Sequence, residues 1–420
     1  MKAVYLFAAF IIPISLHGQN SRSLKIEECY VLARENYPLV RQHLLIEKSN
    51  NYTIENIAKG ALPQISVSGQ ASYQSDVTTL PIQLPGMNVP AMSKDQYRLT
   101  GEVSQPLTDL ITVKQQKELQ EMNRQVQTQN LEVELYKIKD RINQLFFGIL
   151  LIDEQLVQNN LTKKDIQSGI NKVSAALRNG TDFRSSLDKL KAEMLKAQQR
   201  DIDLKSSRSA YTAMLGLFIN QTLNDSTKFD RPEEITSIAN VNRPEVTAYD
   251  FQKKTYDLQN QLLNTRSLPK FSLFFQGGLG KPSPVNMLSN ELSGYYLGGL
   301  RLNWSLSSFY TLKKEKKIND IAKEAVEVQR ETFLFNTKQL LRQQNEEINK
   351  IRKLINTDRQ IVDLRSSVKT ASNAQLENGV ITVNDYLREV YAEEQARQSV
   401  SLHQIQLLMA QYNYRTTSGN

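Results

Sequence analysis

Cysteine is nearly missing from this sequence: Cys29 is the only one in 420 residues, so no disulfide framework can form within the chain. It lies in "IEECYVLA", a helical context that predicts a small buried residue, and too far along to carry a lipid anchor directly after an export signal. Histidine is almost as scarce, with His17 near the start and His43 and His403 standing singly on helical stretches. Neither a metal site nor a nucleophile–base pair can be drawn from so few ligands, and no catalytic residue or cofactor is expected. Acid pairs such as Glu233-Glu234 and Glu346-Glu347 read as solvated helix faces. Only 12 prolines and 17 glycines interrupt the chain, which suits long helices. Beyond the first 18 residues no apolar run is long enough to span a bilayer as a helix; "FFGILLI" at 146–152 comes nearest there.

Charge is plentiful but mixed. The formal net charge is +8, yet Lys and Arg alternate with Asp and Glu in stretches such as "KIKDRINQ" and "RQQNEEINKIRK". Such alternation marks a solvated helix surface, and nucleic acid is not expected as a partner. The opening "MKAVYLFAAFIIPISLHGQ" has a single basic residue, a short apolar run and small polar residues after it. That is the pattern of a signal peptide, assigned to residues 1–18, and it predicts an exported protein.

The remainder is a tandem duplication. "LRNGTDF" around Gly180 is echoed by "LENGVIT" around Gly379. "NYPLV" is echoed by "NRPEV", "ALPQISVSG" by "SLPKFSLFF", and "VSQPL" by "LNWSL". The separation from Leu107 to Gly180 is 73 residues, as is that from Leu306 to Gly379. The first repeat is placed at 19–219, a linker at 220–241 and the second repeat at 242–420. Each repeat reads helix, proline, two strands, long helix, Asn-Gly turn, return helix.

The strands, expected near 64–74, 97–105, 270–280 and 295–305, alternate with a period of two. Ile65, Val67 and Tyr73, then Tyr97, Leu99 and Val103, fall on one face, with Ser and Gln on the other. Phe271, Leu273, Phe275 and Leu279 continue that apolar face, as do Tyr296, Leu300, Leu302 and Trp304. Arg98, Glu102 and Arg301 fall on the polar face. In the long helices, Leu135, Ile138, Ile142, Leu145, Ile149, Ile152 and Leu156 step by threes and fours, the spacing of a coiled-coil seam. No proline interrupts 108–177, which predicts one helix of roughly 70 residues, about 100 Å long.

Strands of this length suit an outer-membrane barrel, but four cannot close one, and an open edge cannot face lipid. Three copies would supply twelve. With "NYPL", "NRPEV", "LPQISVSG", "VSQPL", "AMLGL" and the two Asn-Gly turns at matched spacing, the chain resembles the TolC-type outer-membrane efflux proteins. The resemblance spans essentially the whole mature chain. It implies a mainly α fold with a β-barrel portion: a duplicated subunit of long and short helical hairpins plus four antiparallel strands. It further implies a homotrimeric α/β-barrel tube in the outer membrane of a Gram-negative bacterium, with a large periplasmic portion. Its function would be that of the exit duct of a tripartite efflux or type I secretion system. Its partners would be outer-membrane lipid, a periplasmic adaptor (membrane fusion) protein and an inner-membrane transporter. The competing reading is a periplasmic coiled-coil adaptor or scaffold without a pore.

The resemblance also places adaptor docking at the helix–helix turns, here Leu177, Asn179, Gly180, Phe183 and Asp188, and Leu376, Asn378, Gly379, Thr382 and Asp385. Gly180 and Gly379 sit where a left-handed helix cap is wanted. Thr382-x-x-Asp385 reads as a capping box, whereas the first turn has Phe183 in the threonine's place, so its cap is expected to slip to Ser185-x-x-Asp188. Phe183 is open to two readings, adaptor contact or packing on its own helices. Asp182, Asp188 and Asp385 are candidates for polar links that hold the tip closed, or simple caps. Arg98, Glu102 and Arg301 either tune what passes the lumen or are tolerated because it is wet.

Overall fold

The computed structural model describes residues 23–77, 92–235, 240–287 and 289–420. The expected signal segment and most of the first hairpin loop lie outside them. Eight α-helices, one short 3-10 helix (Pro38–Arg41) and four strands are found among the described residues, and the chain divides into two compact units that each draw on both halves of the repeat.

One unit contains the sheet. β1 (Gln64–Tyr73), β2 (Asp95–Pro106), β3 (Lys270–Lys281) and β4 (Ser293–Asn303) form an antiparallel sheet in chain order. Pro63 and Pro269 stand just before β1 and β3, where a residue without an N–H does least harm. The register keeps the apolar residues together. Ile65 faces Val103, Leu99 faces Leu279, Val103 faces Phe275, and Leu273 faces Leu300. Because a one-residue slip would invert a strand, this agreement across three ladders fixes one continuous apolar face. That face is bare: Ile65, Val67, Leu99, Phe275, Tyr296 and Leu300 are all exposed. β4 stops at Asn303, one residue short of Trp304. The indole there donates to the Ser267 carbonyl at 3.0 Å and meets Phe309 edge-on.

The same unit contains α2 (Gln42–Lys59), most of α3 (Asp109–Tyr136), α6 (Pro244–Arg266) and the start of α7 (Ser308–Glu377). Pro244 occupies the first helical position of α6, where its fixed φ suits the helix and no N–H is missed. Polar links join the paired helices, among them Asn50 to Glu121 at 3.4 Å and Lys323 to Asp257 at 2.6 Å.

The other unit is helical, built from α1 (Ile26–Asn36), α4 (Ile138–Arg178), α5 (Arg184–Ile219), the end of α7 and α8 (Val383–Ser418). Ile138, Ile142, Leu145, Ile149 and Ile152 of the α4 seam are buried as their spacing predicts, Leu156 only partly so, and Cys29 of α1 is fully buried too. Burial pushes the Cys29 thiol up to about 12 and leaves it inert as a nucleophile. Phe146 and Phe147 widen the seam beyond a two-position stripe, and Phe147 meets Tyr412 of α8 edge-on at 5.3 Å. Asn143, buried in this apolar core, is satisfied by Tyr30, by Asn413 at 2.9 Å and by Thr416 at 3.3 Å. Arg208 anchors the inter-repeat linker: it donates to the Asp153 carboxylate at 2.5 Å and to the Asp225 and Thr227 carbonyls.

One expectation fails. The first long helix is not continuous over 108–177 but breaks at Lys137, between α3 and α4. Lys137 keeps helical angles (φ −62°, ψ −18°), and the Asp140 N–H turns back to its carbonyl at 3.3 Å. The interruption is therefore a single tightened i→i+3 turn, made without proline or glycine. Its counterpart α7 runs unbroken for 70 residues.

Candidate functional site: the paired helix turns

The two Asn-Gly turns have the same backbone. α4 ends at Arg178, and Gly180 adopts φ +72°; α7 ends at Glu377, and Gly379 adopts φ +68°. In the first turn Gly180 N–H donates to the Leu177 carbonyl at 3.1 Å and Thr181 N–H to Ala176 at 2.9 Å. In the second, Gly379 donates to Leu376 at 3.1 Å and Val380 to Gln375 at 2.9 Å. These are paired Schellman caps, which satisfy the last carbonyls of each long helix and need a residue free of a Cβ penalty. Asn179 and Asn378 precede the glycines, and the Asn378 amide also donates to the Ala374 carbonyl at 2.9 Å.

The return helices begin differently. Thr382 and Asp385 cap α8 reciprocally, the Asp385 N–H donating to the Thr382 hydroxyl at 3.3 Å and the Thr382 N–H to the Asp385 carboxylate at 3.2 Å. The Thr382 hydroxyl and N–H together hold the Asp385 carboxyl below its usual range. The expected slip to Ser185 does not occur. α5 starts at Arg184 with Phe183 as its cap residue, extended and without a side-chain bond. Ser185 lies inside the first turn, so its hydroxyl cannot act as the cap. Asp188 instead reaches back one turn to Arg184 at 3.7 Å. Side-chain support at the Phe183 backbone comes from Asp182, whose carboxylate accepts its N–H at 2.6 Å.

Both turns belong to one apolar cluster. Ile166 and Val173 of α4, Leu187 and Leu190 of α5, and Val383 and Leu387 of α8 form a buried core, and Leu177 and Leu376 pack on its edge. The cluster holds the two hairpins side by side. Gly169 permits the close approach, since a Cβ there would lie 3.2 Å from Leu190 and 3.4 Å from Tyr386.

Polar links tie the hairpins together around this core. Lys172 reaches Glu377 at 2.5 Å, Lys189 reaches Asn384 at 3.0 Å, and the Tyr391 hydroxyl donates to Glu193 at 2.6 Å. Lys369 of α7 contacts Asp165 of α4 at 3.1 Å and also pairs with Glu393 of α8, which is 3 % exposed. Burial works against the Lys369 charge, but Glu393 and Asp165 outweigh it and hold the ammonium above its ordinary range. Burial would likewise raise Glu393, but Lys369 and Arg397 bring its carboxyl below the usual value. None of Asp182, Asp188 and Asp385 joins this set; all three bond within their own turn or helix. Apart from Lys369 and Glu393, the linked residues lie some 200 positions apart in the chain, and no local pattern marks them.

Two large apolar side chains stand out at the apex. Phe183 is 79 % exposed, which removes the reading that it packs on its own helices, and Val380 is 70 % exposed. Val380 directly follows the second glycine, a place where its exposure could have been read from sequence.

On the sheet, Glu102 and Arg301 of the polar face form an ion pair at 2.6 Å, and Gln276 also donates to Glu102. The Arg301 guanidinium stacks over Phe274. Arg98 lies elsewhere on the face, opposite Gln70 and Gly280. His403, single in sequence, meets Asp358 at 2.5 Å. Among the described residues no cluster of three or more His, Cys, Asp or Glu is placed to hold a metal ion, and no helix is long and apolar enough to cross a membrane.

No protein-family model and no curated protein matches this sequence. Solved structures do. The outer membrane protein VceC of Vibrio cholerae superposes at a TM-score of 0.66 with 11% identity, over 94% of this chain and 96% of that one. CusC, a transmembrane channel, gives 0.68 at 12% identity, over 100% of this chain and 99% of that one. The MtrE outer membrane channel of Neisseria gonorrhoeae gives 0.65 at 14% identity, over 94% and 89%. The chain has the fold of the TolC-type outer-membrane channels, mainly helical with a small antiparallel sheet.

Proposed function

We propose that this protein is an outer-membrane exit duct, serving a tripartite efflux or type I secretion system. The observation that carries the reading is a four-stranded sheet with one continuous bare apolar face, whose outer strands, β1 and β4, have no further strand partner among the described residues. In lipid an unpaired strand edge is forbidden, so the sheet must be completed. β1 and β4 run antiparallel, so β4 of one copy can pair with β1 of the next without changing the alternation. Three copies in a ring supply twelve strands, an even number within the range of outer-membrane barrels. The apolar face then meets lipid and the Ser- and Gln-rich face lines a wet lumen. The structures of similar fold are described as outer-membrane proteins or channels, which supports the same location here.

The turns at Gly180 and Gly379 are the proposed docking end for a periplasmic adaptor, which links the duct to an inner-membrane transporter. Exposed Phe183 and Val380 offer apolar anchors there, and buried apolar anchors contribute much of the energy at interfaces. The Lys369–Asp165–Glu393 links are the proposed fastening of the tip hairpins. The test is direct: full-length protein should be recovered from outer membranes as a heat-modifiable trimer, and its deletion should abolish export of a pump substrate. Recovery as a soluble periplasmic monomer would sink the reading in favour of a scaffold without a pore.

A further inference from the structure

Resting on that duct reading, we infer that Arg98 is the charge that makes the outer part of the lumen favour anionic solutes. The polar face of the four strands carries few charges. Glu102 and Arg301 cancel each other at 2.6 Å, and Lys270, at the start of β3, is paired with Asp109 at 3.4 Å. Asp95 and Lys281 pair at 3.2 Å at the ends of β2 and β3, on the opposite face by alternation. Arg98 is exposed and, among the described residues, has no carboxylate partner. Residues 78–91 of the β1–β2 connection contain no charged residue at all. Beyond the strand ends, Lys94 donates to the Ser75 carbonyl at 3.1 Å and Asp76 accepts the Val77 N–H at 2.8 Å, one charge of each sign, so within the strands Arg98 is the charge on this face that stays uncompensated.

The surroundings make that charge count. Arg98 lines a cavity of about 730 Å³ together with Ser66, Ser68 and Thr100, and Pro284 and Val285 of the β3–β4 connection form its other wall. That connection folds back over the polar face. A Cβ on Gly280 would lie 2.9 Å from the Pro282 carbonyl and 3.1 Å from the Pro284 ring, so glycine is what lets the strap come down. The connection's own carboxylate, Glu291, is not part of this cavity. A strap folded onto the lumen face confines passing solutes near Arg98. Fixed charge acts strongly only within a Debye length, about 8 Å at physiological salt, and between low-dielectric walls. The ligand class is a small anion or a solute bearing a carboxylate, sulfonate or phosphate group.

The experiment introduces Ser68→Cys into the full-length trimer. Cys29 is fully buried, so the new thiol is the one that reports. Its rates of reaction with anionic, neutral and cationic methanethiosulfonate reagents are compared with those of a free thiol in solution. The anionic-to-cationic rate ratio should exceed the solution ratio about tenfold, and R98Q should return it to the solution value. The double variant E102Q/R301Q removes a cancelling pair and should leave the ratio raised. R301Q alone uncovers Glu102 and should lower it. A ratio at the solution value with Arg98 present, or one unchanged by R98Q, overturns the inference. Failure of all three reagents to reach the introduced thiol overturns the duct reading itself, because the polar face would then not line a lumen.

Discussion

Phe183 and Thr382 are the N-cap residues of the two return helices, at equivalent places in the duplicated subunit, and only Thr382 caps with its side chain. The aromatic ring that replaces the hydroxyl is among the most exposed large side chains at the apex. A local preference for a hydroxyl or carboxylate side chain has been given up there, which is the pattern expected where surface chemistry serves a partner.

Phe183→Thr should therefore separate stability from activity. A restored cap should stabilise the protein by about 1 kcal/mol, raising its unfolding midpoint. Export should fall, because the apolar anchor is lost. If export is retained while the midpoint rises, Phe183 is not a docking residue.

Thr382→Ala removes a working cap and should cost about 1 kcal/mol. Hydrogen exchange should quicken at the first amides of α8 and stay unchanged in α5. The Asp385 side of the box has a pH sign as well. Its carboxyl is held below its unfolded value, so its contribution is complete above about pH 5 and is lost as pH falls through the lower native value. Asp385→Asn should remove that acid dependence of exchange at the start of α8.

Gly180→Ala and Gly379→Ala test the backbone alone. The left-handed φ is required at both, but nothing lies within 4 Å of the added Cβ. The cost should then be purely conformational, about 1 kcal/mol each, with assembly of the proposed trimer intact. Gly→Asn should cost less, since Asn tolerates that conformation. Larger losses, or loss of the trimer, would mean that these turns also support assembly.

Lys369→Met leaves the Glu393 carboxylate buried with Arg397 as its remaining partner. The expected cost is about 1–3 kcal/mol, measured by denaturant unfolding. Glu393 is held below its unfolded value, so its stabilisation is present at neutral pH and is lost as pH falls through the native value. In the variant that loss should begin at higher pH. A combined Lys369→Met/Glu393→Gln protein should recover much of the stability. No recovery would show that Lys369 acts mainly through Asp165.

Leu99→Arg places charge at mid-strand on the apolar face, where burial in lipid should cost about 2–4 kcal/mol and reduce membrane assembly. Ser104→Arg, on the polar face of the same strand, should assemble normally. Equal tolerance of both would contradict the assignment of the two faces.

Much of this architecture is legible in the sequence. Period-two alternation located all four strands, and proline and glycine placed their starts and the helix ends. These signals work because backbone sterics and capping act within a few residues. The break at Lys137 was not legible, since it arises in a segment of ordinary helix formers with neither proline nor glycine. The Ser185-x-x-Asp188 pattern does not decide the first cap: a missing hydroxyl at Phe183 does not move the helix start, because the Schellman turn before it already fixes where the chain re-enters the helix.

Residue order alone is enough to specify the duplication, the two faces of the strands, and the left-handed turns at Gly180 and Gly379. Each of these follows from alternation or backbone freedom along one short stretch. Long-range packing settled the rest: that the turns share one apolar cluster, that Lys369 meets Asp165 and Glu393, and that Glu102 is neutralised by Arg301 while Arg98 is not. Charges pair with whatever packing and register bring within a few ångströms, and most of these partners stand about 200 residues apart.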